Sequence, residues 1–319
     1  MGEKVRVSDL KAGDILLLEP NNEKISKIIA WVTRSEVSHT ALSCGPDKPV
    51  GTVIEETPPN ALEDTILTRT ARTAYVMRLN PGNNNCQPVM DIAARYVSEK
   101  LPYAHAQLPF IGLYCITNNM LGDTGLQGLV TRIVKLSMGI LMELEDALIY
   151  KGREAMMCSQ FAYHCYKEAG DEYEIQLKGN PGFPLLDRII EIIQKDPASY
   201  NNRIFQADVE NSPVSDENVD EAIDQLYEAL SKKQYETELS ASYELSDDLI
   251  IEVTRFCIQF VKTFSGGTDG GNNDAVPYLQ KLKDMYEYFI SPGDLLKNTL
   301  NLTCIGTVDY DGYQSYGSF

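Results

Sequence analysis

Apolar and polar positions along the first eighty residues change with short periods and are cut by turn residues. Residues 13–18, Gly-Asp-Ile-Leu-Leu-Leu, read as a turn entering a buried strand. Apolar positions at Ile25, Ile28, Ile29 and Val32 predict a short amphipathic helix over 23–33. Two strands follow, at 38–43 and 50–56, with Gly45-Pro46-Asp47 as the turn between them. Pro58-Pro59 ends the second. Residues 73–79 read as another strand, closed by Gly82 and three asparagines. The spacing of Val89, Ile92, Ala93, Tyr96 and Val97 then predicts a helix over 88–100.

The period is helical from there on. Residues 107–150 are unusually apolar, with Leu129, Ile133, Leu136, Ile140 and Leu144 at helical spacing. They read either as a pair of helices packed on the core or as the wall of an acyl-binding groove. Residues 158–169 read as a helix that Gly170 stops. Helices are also predicted at 184–193, 216–234, 246–264 and 276–289. A turn and helical stretch begin at Ser291-Pro292-Gly293-Asp294-Leu295, and 302–309 returns as a strand. Gly312 to Phe319 read as a tail.

Composition sharpens this division. Residues 208–248 hold 13 acidic residues against two lysines, which sets 210–289 apart as an acidic helical module. Over all 319 residues, 46 acidic and 28 basic side chains give a formal charge of −18. Such a field repels phosphate backbones and anionic membrane surfaces, so nucleic acid is not an expected partner. A basic protein is the partner that the acidic module would suit. No run is long and apolar enough for a transmembrane segment. The start, Met1-Gly2-Glu3-Lys4-Val5-Arg6-Val7, shows no signal-peptide core. The expectation is a cytoplasmic protein or one exported without such a signal, unless a native leader is missing. The seven cysteines are scattered without a CxxC, which favours reduced thiols over a disulfide scaffold.

Candidate chemistry centres on Cys158. It falls at the first turn of a predicted helix, where the helix dipole and free N–H groups favour a thiolate and could hold an oxyanion. A buried structural cysteine would show the same pattern. Three histidines occur, at 39, 105 and 164. His39, in Ser38-His39-Thr40-Ala41-Leu42, is placed on a strand face and could activate a thiol, or be a satisfied core histidine. The strand from Val50 should pair with the His39 strand, so Glu55 or Glu56 could orient the imidazole; alternation lets only one do so. A solvated charge pair is the other reading of that dipeptide. His164 lies six residues after Cys158, on a different side of the helix. His105 follows Leu101-Pro102-Tyr103 and could line a pocket.

Taken together, Gly13-Asp14-Ile15-Leu16-Leu17, Ser38-His39-Thr40-Ala41-Leu42, Val53-Ile54-Glu55, Leu101-Pro102-Tyr103 and Cys158-Ser159-Gln160-Phe161 resemble the permuted papain-like NlpC/P60 amidases of the YiiX/YaeF type. The resemblance implies an α+β fold, circularly permuted, with the nucleophile helix packed on an antiparallel sheet. It implies a catalytic domain of 1–209 plus 290–310, interrupted by the acidic helical insertion at 210–289, with 311–319 as a tail. It places the nucleophile on Cys158, the base on His39 and the orienting carboxylate on Glu55. Tyr103 is implied as a pocket residue, with Ser159, Gln160 and His105 beside it. Gln160 stands where many members carry a carboxylate. No metal and no cofactor is implied. The expected activity is cysteine-dependent hydrolysis of an amide, in a peptidoglycan stem peptide or another peptide or acyl amide. Thioester, lipid or acyl-transfer chemistry by the same triad is one alternative. A non-catalytic interaction protein with a relic site is the other.

Overall fold

A computed structural model of the chain describes residues 3–57, 60–80, 85–100, 107–117, 124–143, 149–150, 153–154, 156–179, 182–206, 216–233, 244–265, 273–310 and 313. Among these, the chain is mixed α+β, with eleven α-helices and a seven-stranded mixed sheet. It divides into two compact units. The first comprises Met1–His105, Ala155–Asn180 and Ile290–Phe319; the second comprises Ala106–Glu154 and Pro181–Phe289.

The first unit carries the sheet. Its strands are β1 (Lys4–Arg6), β2 (Ala12–Leu18), β3 (His39–Cys44), β4 (Thr52–Thr57), β5 (Asn60–Thr65), β6 (Ala74–Leu79) and, at the far end of the chain, β9 (Leu302–Asp309). Their order is β1-β9-β6-β2-β3-β4-β5. β1 runs parallel to β9, and the other pairs are antiparallel. The helices of this unit are α1 (Lys24–Val32), α2 (Gln87–Glu99), α5 (Cys158–Glu168) and α11 (Pro292–Lys297). The remaining elements belong to the second unit: β7 (Ile149–Tyr150), β8 (Arg153–Glu154), α3 (Gln107–Thr117), α4 (Thr124–Glu143), α6 (Pro184–Lys195), α7 (Pro197–Gln206), α8 (Asp216–Lys233), α9 (Asp247–Phe264) and α10 (Val276–Asp284).

β2 sits at the middle of the sheet, and residues 13–18 are all buried. That is why it reads as a continuous apolar run rather than an alternating one. One face packs Leu16, Leu18, Ala41, Val53, Ala74 and Val76 with Val7, Leu10, Ile66 and Val308. Helices α2 and α5 pack on each other and against the strands, α5 on β3 and β4, α2 on β2 and β5. Tyr96 and Phe161 meet edge to face at 5.8 Å in that helix pair.

One polar anchor joins α5 to the sheet, the Tyr166 hydroxyl donating to the Gly13 carbonyl, and a second ties β2 to β6, where Asp14 takes a bidentate pair from Arg78 at 2.7 and 2.6 Å. Gly13 has φ +81°, and a side chain there would overlap Cys86, so the irregular start of β2, where its register with β3 shifts, requires glycine.

The second unit is larger than the acidic composition implies. The expected insertion, 210–289, is joined by 107–143 and by residues from 182 onward that were assigned to the catalytic core. The reason is apolar packing. Residues 108–116 of α3 are all buried, and α4 packs on both α3 and α9. Phe110 meets Phe260 at 6.1 Å, and Phe260 meets Phe264 and Tyr288 at 4.5 and 5.5 Å. Acid-rich helices supply the solvated faces of a unit whose core comes largely from α3, α4 and α9. Ile133 is fully buried and Leu129 half-buried, so the apolar spacing seen in this stretch reflects helix packing. β5 and α7 are elements that the residue pattern does not announce. Residues 311–319 lie almost wholly outside the described residues.

Gly306 tests how β9 closes the sheet. Its φ is +146°, and a side chain there would overlap the Glu3 carbonyl oxygen, which accepts from Thr307 N–H at 2.9 Å. Gly306→Ala is expected to cost about 1–3 kcal/mol in urea unfolding, the usual range for a residue forced into such a conformation. An unchanged midpoint would mean that β1 does not hold β9 in this way.

Candidate active site

Helix α5 begins at Cys158 because the chain ahead of it is extended. Met157 has φ −86° and ψ 161°, and its carbonyl accepts the first helical bond, from Phe161 N–H at 2.9 Å. The Met157 N–H donates to Gln160 Oε1 at 2.9 Å, which satisfies one orphan donor at the helix start. Ser159 Oγ donates to the Ile290 carbonyl at 2.8 Å. Ile290 precedes α11, whose start is fixed by reciprocal Ser291 and Asp294 bonds. The returning chain therefore pins the residue next to Cys158.

His39 is the first residue of β3 and Glu55 lies in β4. Ala41 pairs with Glu55, so His39, Ala41 and Glu55 share one face of the sheet. His39 Nε2 and Glu55 Oε2 are 2.6 Å apart. That leaves Nδ1 for the sulfur, and His39 and Cys158 are hydrogen-bonded. The Thr40 backbone N–H also donates to the sulfur. Cys158, His39 and Glu55 are thus brought together in the order the sequence assigns them.

The charges are set by this contact. Burial alone would raise the Cys158 thiol, but the His39 cation and its hydrogen bond override it and bring the thiol below its ordinary value. Burial opposes the His39 charge as well. The Cys158 sulfur and then Glu55 outweigh it and lift the imidazole to about 9. The contact therefore favours the thiolate–imidazolium form of the pair over the neutral one.

Glu55 is wholly buried, and its charge is compensated twice. Arg69 grips both oxygens, Nη1 on Oε2 at 2.5 Å and Nη2 on Oε1, while Nη2 also bonds Asp64 Oδ2 at 3.0 Å. Burial would raise the Glu55 carboxyl; His39 and Arg69 together hold it well below the carboxylate range. Arg69 is the residue that sequence reading missed. It follows β5 in a short 3-10 turn, Ile66–Arg69, and β5 itself was not foreseen. One signal was available: Arg69 and Arg72 are the sole basic residues between Lys48 and Arg78, and a buried Glu55 needs a cation.

The remaining candidates divide. Ser159 and Gln160 are buried, and the bonds just described use both side chains to fix the helix start. Tyr103 and His105 lie outside the described residues. His164 stacks edge-on to Tyr163 at 6.1 Å. Glu56 faces away from Glu55 and is fully buried. Among the described residues, no group of His, Cys, Asp and Glu has the arrangement of a metal site, and no helix is long and apolar enough to cross a membrane. Comparison with known proteins returns no matching family model and no matching curated protein.

The ion pairs set a pH window. His39 has a raised pKa, so its stabilising share is complete below its unfolded value of about 6.5 and is lost as pH rises through about 9. Glu55 has a depressed pKa, so its share is present above the ordinary carboxylate value and is lost as pH falls through the depressed one. Arg69→Ala strands the buried carboxylate and should cost about 3–5 kcal/mol at neutral pH, measured by denaturant unfolding. The loss should shrink in strong acid, where Glu55 is protonated in both chains. A loss independent of pH would point to packing, not charge.

Proposed function

We propose that this protein is a cysteine hydrolase that cleaves an amide through Cys158, His39 and Glu55. The observation that carries the reading is Cys158 at the start of α5, hydrogen-bonded to a His39 ring whose other nitrogen is 2.6 Å from a buried Glu55. A thiolate at neutral pH, a base that can return its proton, and a fixed carboxylate are the three parts of nucleophilic acyl chemistry. The fold of the first unit is, on this reading, a permuted papain-like one of the NlpC/P60 kind. The histidine strand preceding the nucleophile helix, and the antiparallel strands beneath that helix, support it.

The residues divide the work as follows. Sulfur attacks the carbonyl carbon, and the oxygen becomes an oxyanion near the helix start, where the Cys158 backbone N–H is the donor closest to hand. His39 gives the proton on Nδ1 to the leaving amine as the C–N bond breaks. A water then attacks the thioester; His39 takes its proton, the acid leaves, and the thiolate is restored. Glu55 keeps the ring oriented and balances its charge throughout, and Arg69 holds Glu55. The substrate class is a peptide or acyl amide, with a peptidoglycan stem peptide as the family-based example. Acyl transfer would run through the same thioester. The apolar 107–143 stretch gives that alternative no separate support, since its described side chains serve the helical unit's own core.

The test is a screen of stem peptides, phospholipids, acylated peptides and thioesters, followed by intact mass. A transient adduct should map to Cys158. Cys158→Ala should bind without turnover, and His39→Ala should lose about 100-fold or more in rate, the usual worth of a general base. A Cys158→Ala chain that kept the full rate would refute the proposal. An adduct that formed with lipid esters and never with amides would move the substrate to the ester class.

A further inference from the structure

Adjacent residues of a strand point to opposite faces, and β4 carries a carboxyl on each. Glu55 meets Arg69 and His39. Glu56 meets no such partner. It is fully buried, and neither carboxyl oxygen has a hydrogen-bond partner among the described residues. The register that pairs Ala41 with Glu55 sets Thr40 opposite Glu56, and Thr40 Oγ1 is likewise buried without a partner. Thr40 is the residue whose backbone N–H donates to the Cys158 sulfur. A carboxylate left bare in such a place is too costly to hold, whereas a carboxylic acid is tolerable.

We propose that Glu56 is a second carboxyl of the Cys158 site, a positioning residue held as a neutral acid behind the thiolate, whose ionisation would add a negative charge to the field at the sulfur. The inference rests on reading Cys158 as the nucleophilic thiolate. The groups around Glu56 are few. Beside it on β5 is Ala61, with Glu63 two residues along and paired to Lys48 at 2.9 Å. β3 brings the uncharged Thr40 and Leu42. Helix α5 brings Cys158 and Cys165, and α2, which also packs on β4, carries Arg95 and Glu99, both half-buried. Of these, the Cys158 charge acts on Glu56: burial first, then that thiolate, push its carboxyl up to about 9. The coupling is mutual, so an ionised Glu56 works against the thiolate. β4 thereby delivers one negative charge to the site, compensated by Arg69, and withholds the other.

The test compares a neutral and an anionic alkylating probe, iodoacetamide and iodoacetate, on Cys158, with the labelled peptide resolved from those of the other six cysteines. Their rate ratio reads the field at the sulfur. The native chain and Glu56→Gln should give the same ratio at pH 7, where both residues are neutral. Above about pH 9 the native chain alone gains a charge. Its iodoacetate rate should then fall relative to Glu56→Gln by roughly threefold or more, because the added charge repels the anionic probe and not the neutral one. His39 loses its proton in the same range in both chains, so the difference between chains isolates Glu56. Ratios that differ already at pH 7 would show Glu56 ionised there, and ratios that never differ would show no coupling; either overturns the inference. If Glu56→Gln does not fold, carboxyl-carbon NMR of Glu56 in the native chain and in Cys158→Ser replaces it. The Glu56 midpoint should be lower in Cys158→Ser, and an unmoved midpoint refutes the coupling. Failure of the underlying thiolate reading looks different: Cys158 in the native chain would alkylate with the pH profile of an ordinary thiol.

Discussion

The site depends on keeping one buried carboxylate charged. Glu55 lies in the interior of a sheet, where an isolated charge would take up a proton instead. Arg69 prevents this by bonding both oxygens. With Glu55 ionised, the 2.6 Å contact holds His39 as a cation. With His39 charged, the Cys158 thiol is drawn below its ordinary value despite burial. Each step supplies the charge that the next one needs, and the chain of effects starts from a guanidinium that touches neither the sulfur nor the imidazole.

The fold serves this sequence of charges by bringing distant segments to one place. β3 and β4 set His39 and Glu55 on one face, and the turn after β5 brings Arg69 to the same carboxylate. Cys158 comes more than one hundred residues later in the chain. Its helix start is tied by Ser159 to Ile290, and its far end by Tyr166 to Gly13. The helical unit is entered and left between these ties, so the first unit is assembled from three stretches of chain. A cysteine placed by such long-range bonds is fixed by tertiary structure and not by the propensity of its own helix.

Much of this was legible in the residues. β2, β3, β4, β6 and β9, and helices α1, α2 and α5, fall within two residues of where alternation and helical spacing put them. The meeting of Cys158, His39 and Glu55 was legible because each sits in a short segment with a clear period, so the facing side could be worked out. β5 was not, since Asn-Ala-Leu-Glu-Asp-Thr has little apolar alternation: its stability comes from pairing with β4, not from a buried face. Arg69 went with it. The unit boundary was hidden for a different reason. Charge marks solvated surface, whereas a compact unit is defined by its core, and the core helices α3 and α4 carry few charges. The bonds that Ser159 and Gln160 make were not legible, because side chains at the first turn of a helix satisfy backbone groups that only the fold brings near.

The claim at the centre is that Cys158 and His39 form a thiolate–imidazolium pair. It is tested most directly by the thiolate ultraviolet absorbance of the native chain minus that of Cys158→Ser, followed from acid to alkali, with the His39 ring nitrogens read by NMR in the same samples. The account predicts that the thiolate signal is complete well below the ordinary thiol value of about 8.5. It also predicts that the ring remains a cation until the pH approaches about 9. A thiolate signal that rises only above the ordinary thiol value, beside a His39 ring already neutral at pH 7, would contradict it.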